Sequence, residues 1–197
     1  RVVPVSAREV SRTESAVTSP VVLLSGNLGY RPTVRGALWF AREVWPRLRT
    51  AVANARWVLV GSRPSAQIRR LDRIPGVEVH ADVSDISKFF LDSRVAIAPM
   101  NSGSGVPMKV LEAMAAGLPA VVHPWAAAGL VGEAADAVAV ASKADNWIAA
   151  LELLLTDPEA AHDLGQRGYE LWRRFYHPER VAAEIRAVVS EAAETRS

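Results

Sequence analysis

The chain has 197 residues, enough for one α/β domain with a full core and short for two. Half of it is hydrophobic, 22% is charged and the formal net charge is +2, the balance of an ordinary globular protein. The absence of cysteine excludes disulfides, thiolate metal sites and a cysteine nucleophile, and basic residues scattered among acids give no sign of a nucleic-acid partner.

Positive charge is carried mainly by arginine, 20 residues against 3 lysines, which reads as the codon bias of a GC-rich genome. No apolar run approaches the roughly 18 residues of a membrane-spanning helix, and no signal peptide opens the chain. A cytoplasmic location, at most peripheral to the inner face of the membrane, is therefore expected. Because the first residue is Arg1 and not methionine, a fragment or a processed chain is also expected.

Residues 1–19 are polar and rich in Ser and Thr, and read as a linker or interdomain remnant; the domain proper is expected over 20–197. "VVLLSG" (21–26) is a strand buried on both faces, ended by glycine. Residues 33–52 carry apolar positions at helical spacing, with Pro46 expected to kink or divide the helix. "RWVLVGS" (56–62) is a second strand, 65–74 a short helix, 77–82 a third strand and 85–93 another helix. "VAIAPM" (95–100) is a fourth strand, leading through a Gly-Ser loop into a helix at 108–116. Strands follow at 119–124 and 137–141, and helices at 143–155, 158–175 and 178–194 close the chain. "DPE" and "HPE" mark two of those starts, with proline in the first turn. Short strands alternating with helices imply a Rossmann-like, doubly wound parallel sheet of about six strands. Trp39, Phe40, Trp45, Trp57, Trp147 and Trp172 fall within the apolar patterns and are expected in the core.

Ligands of such sheets bind at the carboxyl ends of the strands, which here end in "GNLGY", "GSRP" and "NSGSGVPMK". No GxGxxG fingerprint, P-loop or GxSxG elbow is present, and the four histidines lack metal-ligand spacing. The loop at 101–107 carries more. Gly103 and Gly105 allow close backbone approach to a ligand, and the amides that open the next helix form an anion site. Lys109 adds a full charge in the first turn, and Glu112 lies one turn further on the same face, where a carboxylate can accept both hydroxyls of a ribose. An exposed Lys-Glu pair on a solvated helix accounts for the spacing equally well.

"LLSGNLGYRPTVRGALWFAREVWPRLR", "VLVGSRP", "GVEVHADVSDISKFFLDSRVAIAPM" and "GSGVPMKVLEAMAAGLPAVV" together resemble the C-terminal, nucleotide-sugar-binding half of bacterial, retaining family-4 glycosyltransferases of GT-B fold. The resemblance implies transfer of a sugar from a nucleotide-diphosphate donor to a hydroxyl acceptor with retention, in polysaccharide biosynthesis, without a metal or other cofactor. Glu112 resembles the second carboxylate of the family's E-x7-E motif, and Lys109 with Gly103, Ser104 and Gly105 would hold the donor diphosphate. Gly26 and Asn27 would lie beside it, Val83 would line the nucleobase, and Gly129 and Leu130 would close the site.

Several positions depart from the family pattern. Ser104 replaces the first Glu, Asn27 and Asn101 stand where arginines are common, Pro107 where Arg or Thr is frequent, and Ala128 where a Glu is common. A catalytically weakened binding or scaffolding relative is the alternative these suggest. Arg31, Arg35 or Arg63 would have to supply missing charge. His123 either faces the donor sugar or is satisfied at a strand end, and Trp125 either caps the pocket or packs, with packing expected. The acceptor-binding domain would precede residue 1, so the isolated chain is expected to be inactive, and the stripe of Val181, Ile185, Val188 and Val189 would pack on that domain.

Overall fold

The computed structural model describes residues 19–103, 107–131 and 134–194. The expected linker, up to residue 18, lies outside the described residues, as do Ser104 and Gly105. The elements run β1 (Val21–Asn27), α1 (Arg31–Glu43), α2 (Trp45–Ala51), β2 (Arg56–Ser62), α3 (Ala66–Leu71), β3 (Val77–Ala81), α4 (Ser87–Leu91) and β4 (Val95–Ala98). They continue with α5 (Met108–Ala115), β5 (Ala120–Val122), α6 (Pro124–Ala127), α7 (Ala134–Ala137), β6 (Ala139–Val140), α8 (Ala144–Thr156), α9 (Pro158–Phe175) and α10 (Pro178–Glu194).

The six strands form one parallel sheet in the order β3-β2-β1-β4-β5-β6, as the alternation of short strands and helices implied. Continuous apolar strands require cover on both faces, and alternate side chains of β1 go to different cores. Val22 and Leu24 join Trp57, Leu59, Val95 and Ile97 under α1, α2, α3 and α8. Val21 and Leu23 join Val58, Val60, Ala96 and Ala98 beneath α4 and α5, with Trp172 and Tyr176 from the end of α9.

Pro46 divides the first helical stretch, as expected, and the break falls at Val44. The proline occupies the first turn of α2, where its missing N–H has no partner to lose. Trp45, Trp57, Trp147 and Trp172 are fully buried and Trp39 is half-buried, edge-on to Trp147 at 5.9 Å. Phe40 packs on Trp57 at 4.7 Å and Trp45 on Trp57 at 5.8 Å, so aromatic rings bridge α1, α2 and β2.

Two expectations need correction. The strand expected over 119–124 is only Ala120–Val122, because Pro124 opens α6 instead. The strand expected over 137–141 is only Ala139–Val140, and the short helices α6 and α7, the latter running to Ala137, precede it. On α10, Val181 is buried while Ile185 and Val189 are 48% and 63% exposed. No described helix is long and apolar enough to cross a membrane.

Backbone contact sets the geometry at the carboxyl end of β1. Gly61, on β2 beside Gly26, has φ +152°, and a Cβ there would overlap the Gly26 carbonyl oxygen. A Gly61→Ala substitution is therefore expected to destabilise the domain by about 3 kcal/mol, from overpacking and backbone strain together. Urea denaturation measures this; a change below about 0.5 kcal/mol, the range of a neutral surface substitution, would mean that this contact does not constrain the fold.

Candidate functional site

In a doubly wound sheet the crevice opens where successive crossovers diverge, here between β1 and β4. The cleft at that point has a volume of about 290 Å³. Gly26 and Asn27 at the end of β1, Tyr30 and Thr33 at the start of α1, and Met100, Ser102 and Gly103 after β4 form one side. Pro107, Met108, Lys109 and Glu112 of the α5 start, with Trp125 and Ala126 of α6, complete it.

Local sequence explains each wall. Asn27 accepts the Gly29 N–H through Oδ1 at 2.9 Å, a turn that ends β1 and feeds α1. Gly36 lets α1 press on β4, since a Cβ there would lie 2.7 Å from the Pro99 carbonyl oxygen. α5 begins at Pro107 without a side-chain cap, and its first intrahelical bonds run from Val110 and Leu111 to the Pro107 carbonyl. Among the described residues the Met108 and Lys109 amides thus remain as orphan donors at the positive pole of the helix.

Lys109 is set into this wall. Its Nζ donates to Thr33 Oγ1 at 3.2 Å and lies 3.3 Å from Met100 Sδ. Thr33 is buried, and its own hydroxyl turns toward the same sulfur at 3.6 Å. Lys109 lies against Gly26, whose φ of +113° favours glycine; a Cβ there would be in ordinary contact, 3.5 Å from Lys109 Cε and 3.8 Å from Nζ. Burial pulls the ammonium down to about 8, against an opposing pull from Glu112. The Glu112 carboxyl is pushed up by burial and drawn down, more weakly, by Lys109. Among the described residues no ion pair closes between the two. The pair is therefore not a solvated Lys-Glu couple on an exposed helix.

Of the residues singled out from sequence, Gly26, Asn27, Gly103, Lys109 and Glu112 come together in the cleft. Val83 packs on the core beneath α4, Leu130 is buried, and Gly129 lies in the turn after α6; none of the three lines it. Arg31, Arg35 and Arg63 are exposed and also lie outside the lining, as do Asn101 and Ala128. His123 caps α6, its Nδ1 accepting the Trp125 N–H at 3.2 Å, and burial lowers its pKa, consistent with a neutral ring.

Trp125 corrects the expectation that it packs. It is 55% exposed on the cleft wall, and its indole N–H donates to the Gly103 carbonyl at 3.1 Å. Tyr30, 46% exposed, brings its hydroxyl to the other side of Gly103, within 3.3 Å of where a Cβ would stand. Tyr30, Thr33 and Met100 were not found from sequence; an exposed aromatic directly before a helix that follows a glycine turn was the available signal. Among the described residues no group of three His, Asp or Glu side chains is placed to hold a metal ion.

The family model described as glycosyl transferases group 1 matches residues 19–157. No curated protein matches the sequence. Among solved structures, sucrose-phosphate synthase from Thermosynechococcus elongatus is similar with a TM-score of 0.75 at 17% identity, covering 99% of this chain and 53% of that one. A mutant of TarM from S. aureus, in complex with fondaparinux, alpha-GlcNAc-glycerol and UDP, gives 0.73 at 11% identity, covering 90% and 37%. The C-terminal domain of LpcC, a glycosyl transferase group 1 family protein from Francisella tularensis, gives 0.61 at 12% identity, covering 86% and 96%. At these identities the likeness is one of fold, and the chain spans about half or less of the first two.

The buried ammonium has a cost that can be measured on the empty protein. A lysine lowered from 10.5 to about 8 costs the fold about 3 kcal/mol while it is charged. Between those values the unfolded chain holds a proton that the folded chain has released, so stability rises with pH across that window. Lys109→Met is expected to be more stable than the parent at pH 7, by up to that amount, with the gap closing by pH 10.5. Urea denaturation across the pH series is the measurement. A variant less stable at every pH, by a constant margin, would show that the charge costs the fold nothing.

Proposed function

Because the chain belongs to the glycosyl transferases group 1 family, we propose that it is the donor-binding domain of a retaining, family-4 type glycosyltransferase acting on a nucleotide-diphosphate sugar and a hydroxyl acceptor. The observation that carries this reading is the Lys109 ammonium, set beneath the α5 start against Gly26 at the switch point of the sheet. A cation there, joined by free helix amides, is complementary to a diphosphate. The UDP in the complex of the fold-similar TarM mutant favours a nucleoside diphosphate as its carrier.

The chemistry follows from the charge. Breaking the glycosidic bond to the donor phosphate leaves a nucleoside diphosphate, and negative charge develops on the oxygen that departs. Lys109 and the Met108 and Lys109 amides receive that charge from fixed positions, lowering the barrier without donating a proton. Glu112, one turn along α5, accepts the ribose hydroxyls and positions the donor. Gly26 and Asn27 admit the diphosphate to the backbone, and Gly103 faces it from the β4 side. The nucleobase reaches from the cleft toward Val83, and the transferred sugar toward Gly129 and Leu130. No metal ligand set enters this scheme.

Acceptor binding falls in this reading to a second, preceding domain. The partial coverage of longer fold neighbours supports it, as do the exposed Ile185 and Val189 on α10, which offer that domain an apolar stripe.

Calorimetry with UDP and other nucleoside diphosphates tests the site. Lys109→Ala is expected to weaken diphosphate binding about 10- to 100-fold, the loss of one charge-assisted contact, while affinity for the bare nucleoside holds. Unchanged diphosphate affinity in that variant would remove Lys109 from the site and the proposal with it.

The same experiment has a pH dependence. A bound diphosphate favours the charged amine, so binding takes up a proton once the free site has begun to lose its own, near pH 8. Above pH 7, where the terminal phosphate is fully ionised, affinity is expected to be near level to about 7.5 and then to fall toward tenfold per pH unit. A profile level through pH 9.5 would mean that the amine does not answer to the ligand.

A further inference from the structure

The even scatter of charge read from the whole chain fails in one place. Residues 31–73, which build α1, α2, β2 and α3, contain ten arginines and two acids, Glu43 and Asp72. That segment therefore carries +8 in a chain whose total is +2, and the remainder carries −6. Codon bias explains arginine in place of lysine, but not the lack of acids here.

The fold sorts these arginines. Arg56 pairs with Glu78 at 2.7 Å, Arg47 with Asp145 of α8 at 2.7 Å, and Arg42 with Glu43 at 2.6 Å. Asp72 is occupied, accepting the Val79 N–H at 2.9 Å, and Asp82 accepts the Arg63 N–H. Arg31, Arg35, Arg63, Arg69, Arg70 and Arg73 remain exposed, without an ion pair among the described residues. Arg31 and Arg35 share one stripe of α1, one turn apart. Arg69 and Arg70 end α3, which packs beside α1 on the same face of the sheet, with Arg73 just beyond.

We propose that this outer face of α1 and α3 docks the protein on an anionic lipid surface. Four guanidinium groups on two adjacent helices, with Arg63 and Arg73 in the turns that flank α3, match a sheet of phosphate charge, each worth roughly fivefold in affinity near such a surface. The face has no exposed aromatic or aliphatic anchor of the kind a specific protein interface centres on. The exposed large apolar residues are elsewhere: Tyr30, Met108 and Trp125 line the cleft, and the others belong to α8, α10, β6 and the turn after α6. It also has neither the stacking rings of single-strand binders nor an element projecting toward a groove. Arg31 follows Tyr30 at the cleft rim, so docking brings the cleft close to the bilayer.

Vesicle flotation of the whole chain tests the proposal, comparing pure phosphatidylcholine with phosphatidylcholine containing one third phosphatidylglycerol. Binding is expected only to the anionic vesicles, and to fall between about 0.1 M and about 0.5 M salt as screening tightens. The triple variant Arg35→Gln, Arg69→Gln, Arg70→Gln should bind roughly 100-fold more weakly, with circular dichroism and melting temperature unchanged. If that variant fails to fold, Arg31→Gln with Arg35→Gln on α1 alone should cost roughly 30-fold. No binding to anionic vesicles, equal binding to neutral ones, or undiminished binding by the folded variants overturns it. So does stronger binding to an oligonucleotide that displaces the vesicles.

Discussion

A positive charge held in place by neutral groups is the constraint from which the cleft follows. Lys109 stands at the second position of α5, where the helix pole is itself positive, and its partners are a hydroxyl, a thioether and glycine backbone. None of these neutralises it, and Glu112 closes no ion pair. The field at the cleft is therefore set by the lysine and the orphan amides together. An anion entering there meets donors already in position, with little reorganisation left to oppose binding.

Holding that arrangement requires a rigid floor, and the sheet supplies it. β1 is zipped to β2 along its whole length, and β4 joins its other side. Glycines bring backbone against backbone where this floor meets the site: Gly61 on Gly26, and Gly36 on the Pro99 carbonyl. The second contact fixes the start of α1, and hence Thr33, against Met100. The tryptophans and Phe40 lock α1 and α2 onto β2. Core packing thus reaches the site through positions that tolerate no added atom.

The fold was readable because two periods alternate cleanly, and continuous apolar runs such as "VVLLSG" and "VAIAPM" admit few readings other than buried strands. The Gly-Ser loop, Lys109 and Glu112 were readable because a cation at a helix start is locally unfavourable and demands a reason. Residues 124–137 were not, since an alanine-rich stretch lacks the polar-apolar contrast that makes a helical period visible. Thr33 and Met100 escaped for a different cause. They meet Lys109 across 76 and 9 residues of sequence, and only the crossover that lays α1 against β4 brings them there. Trp125 shows the same limit, because hydrophobicity says that a ring prefers burial but not whether a cleft opens beside it.

The energetics of the lysine join stability and binding in one quantity. A group that costs the empty fold about 3 kcal/mol to hold charged opposes a purely structural role, since a neutral side chain of similar length would pack there more cheaply. The cost is recovered only when something anionic shares the pocket, and the differential between empty and filled states is what binding draws on. A lysine near 8 is suited to this, being largely charged at neutral pH without a resident counter-ion. A second cation in the lining would raise the cost of the empty state further. The exposed arginines of α1 and α3 lie outside the lining, where their charges remain solvated and cost the fold little.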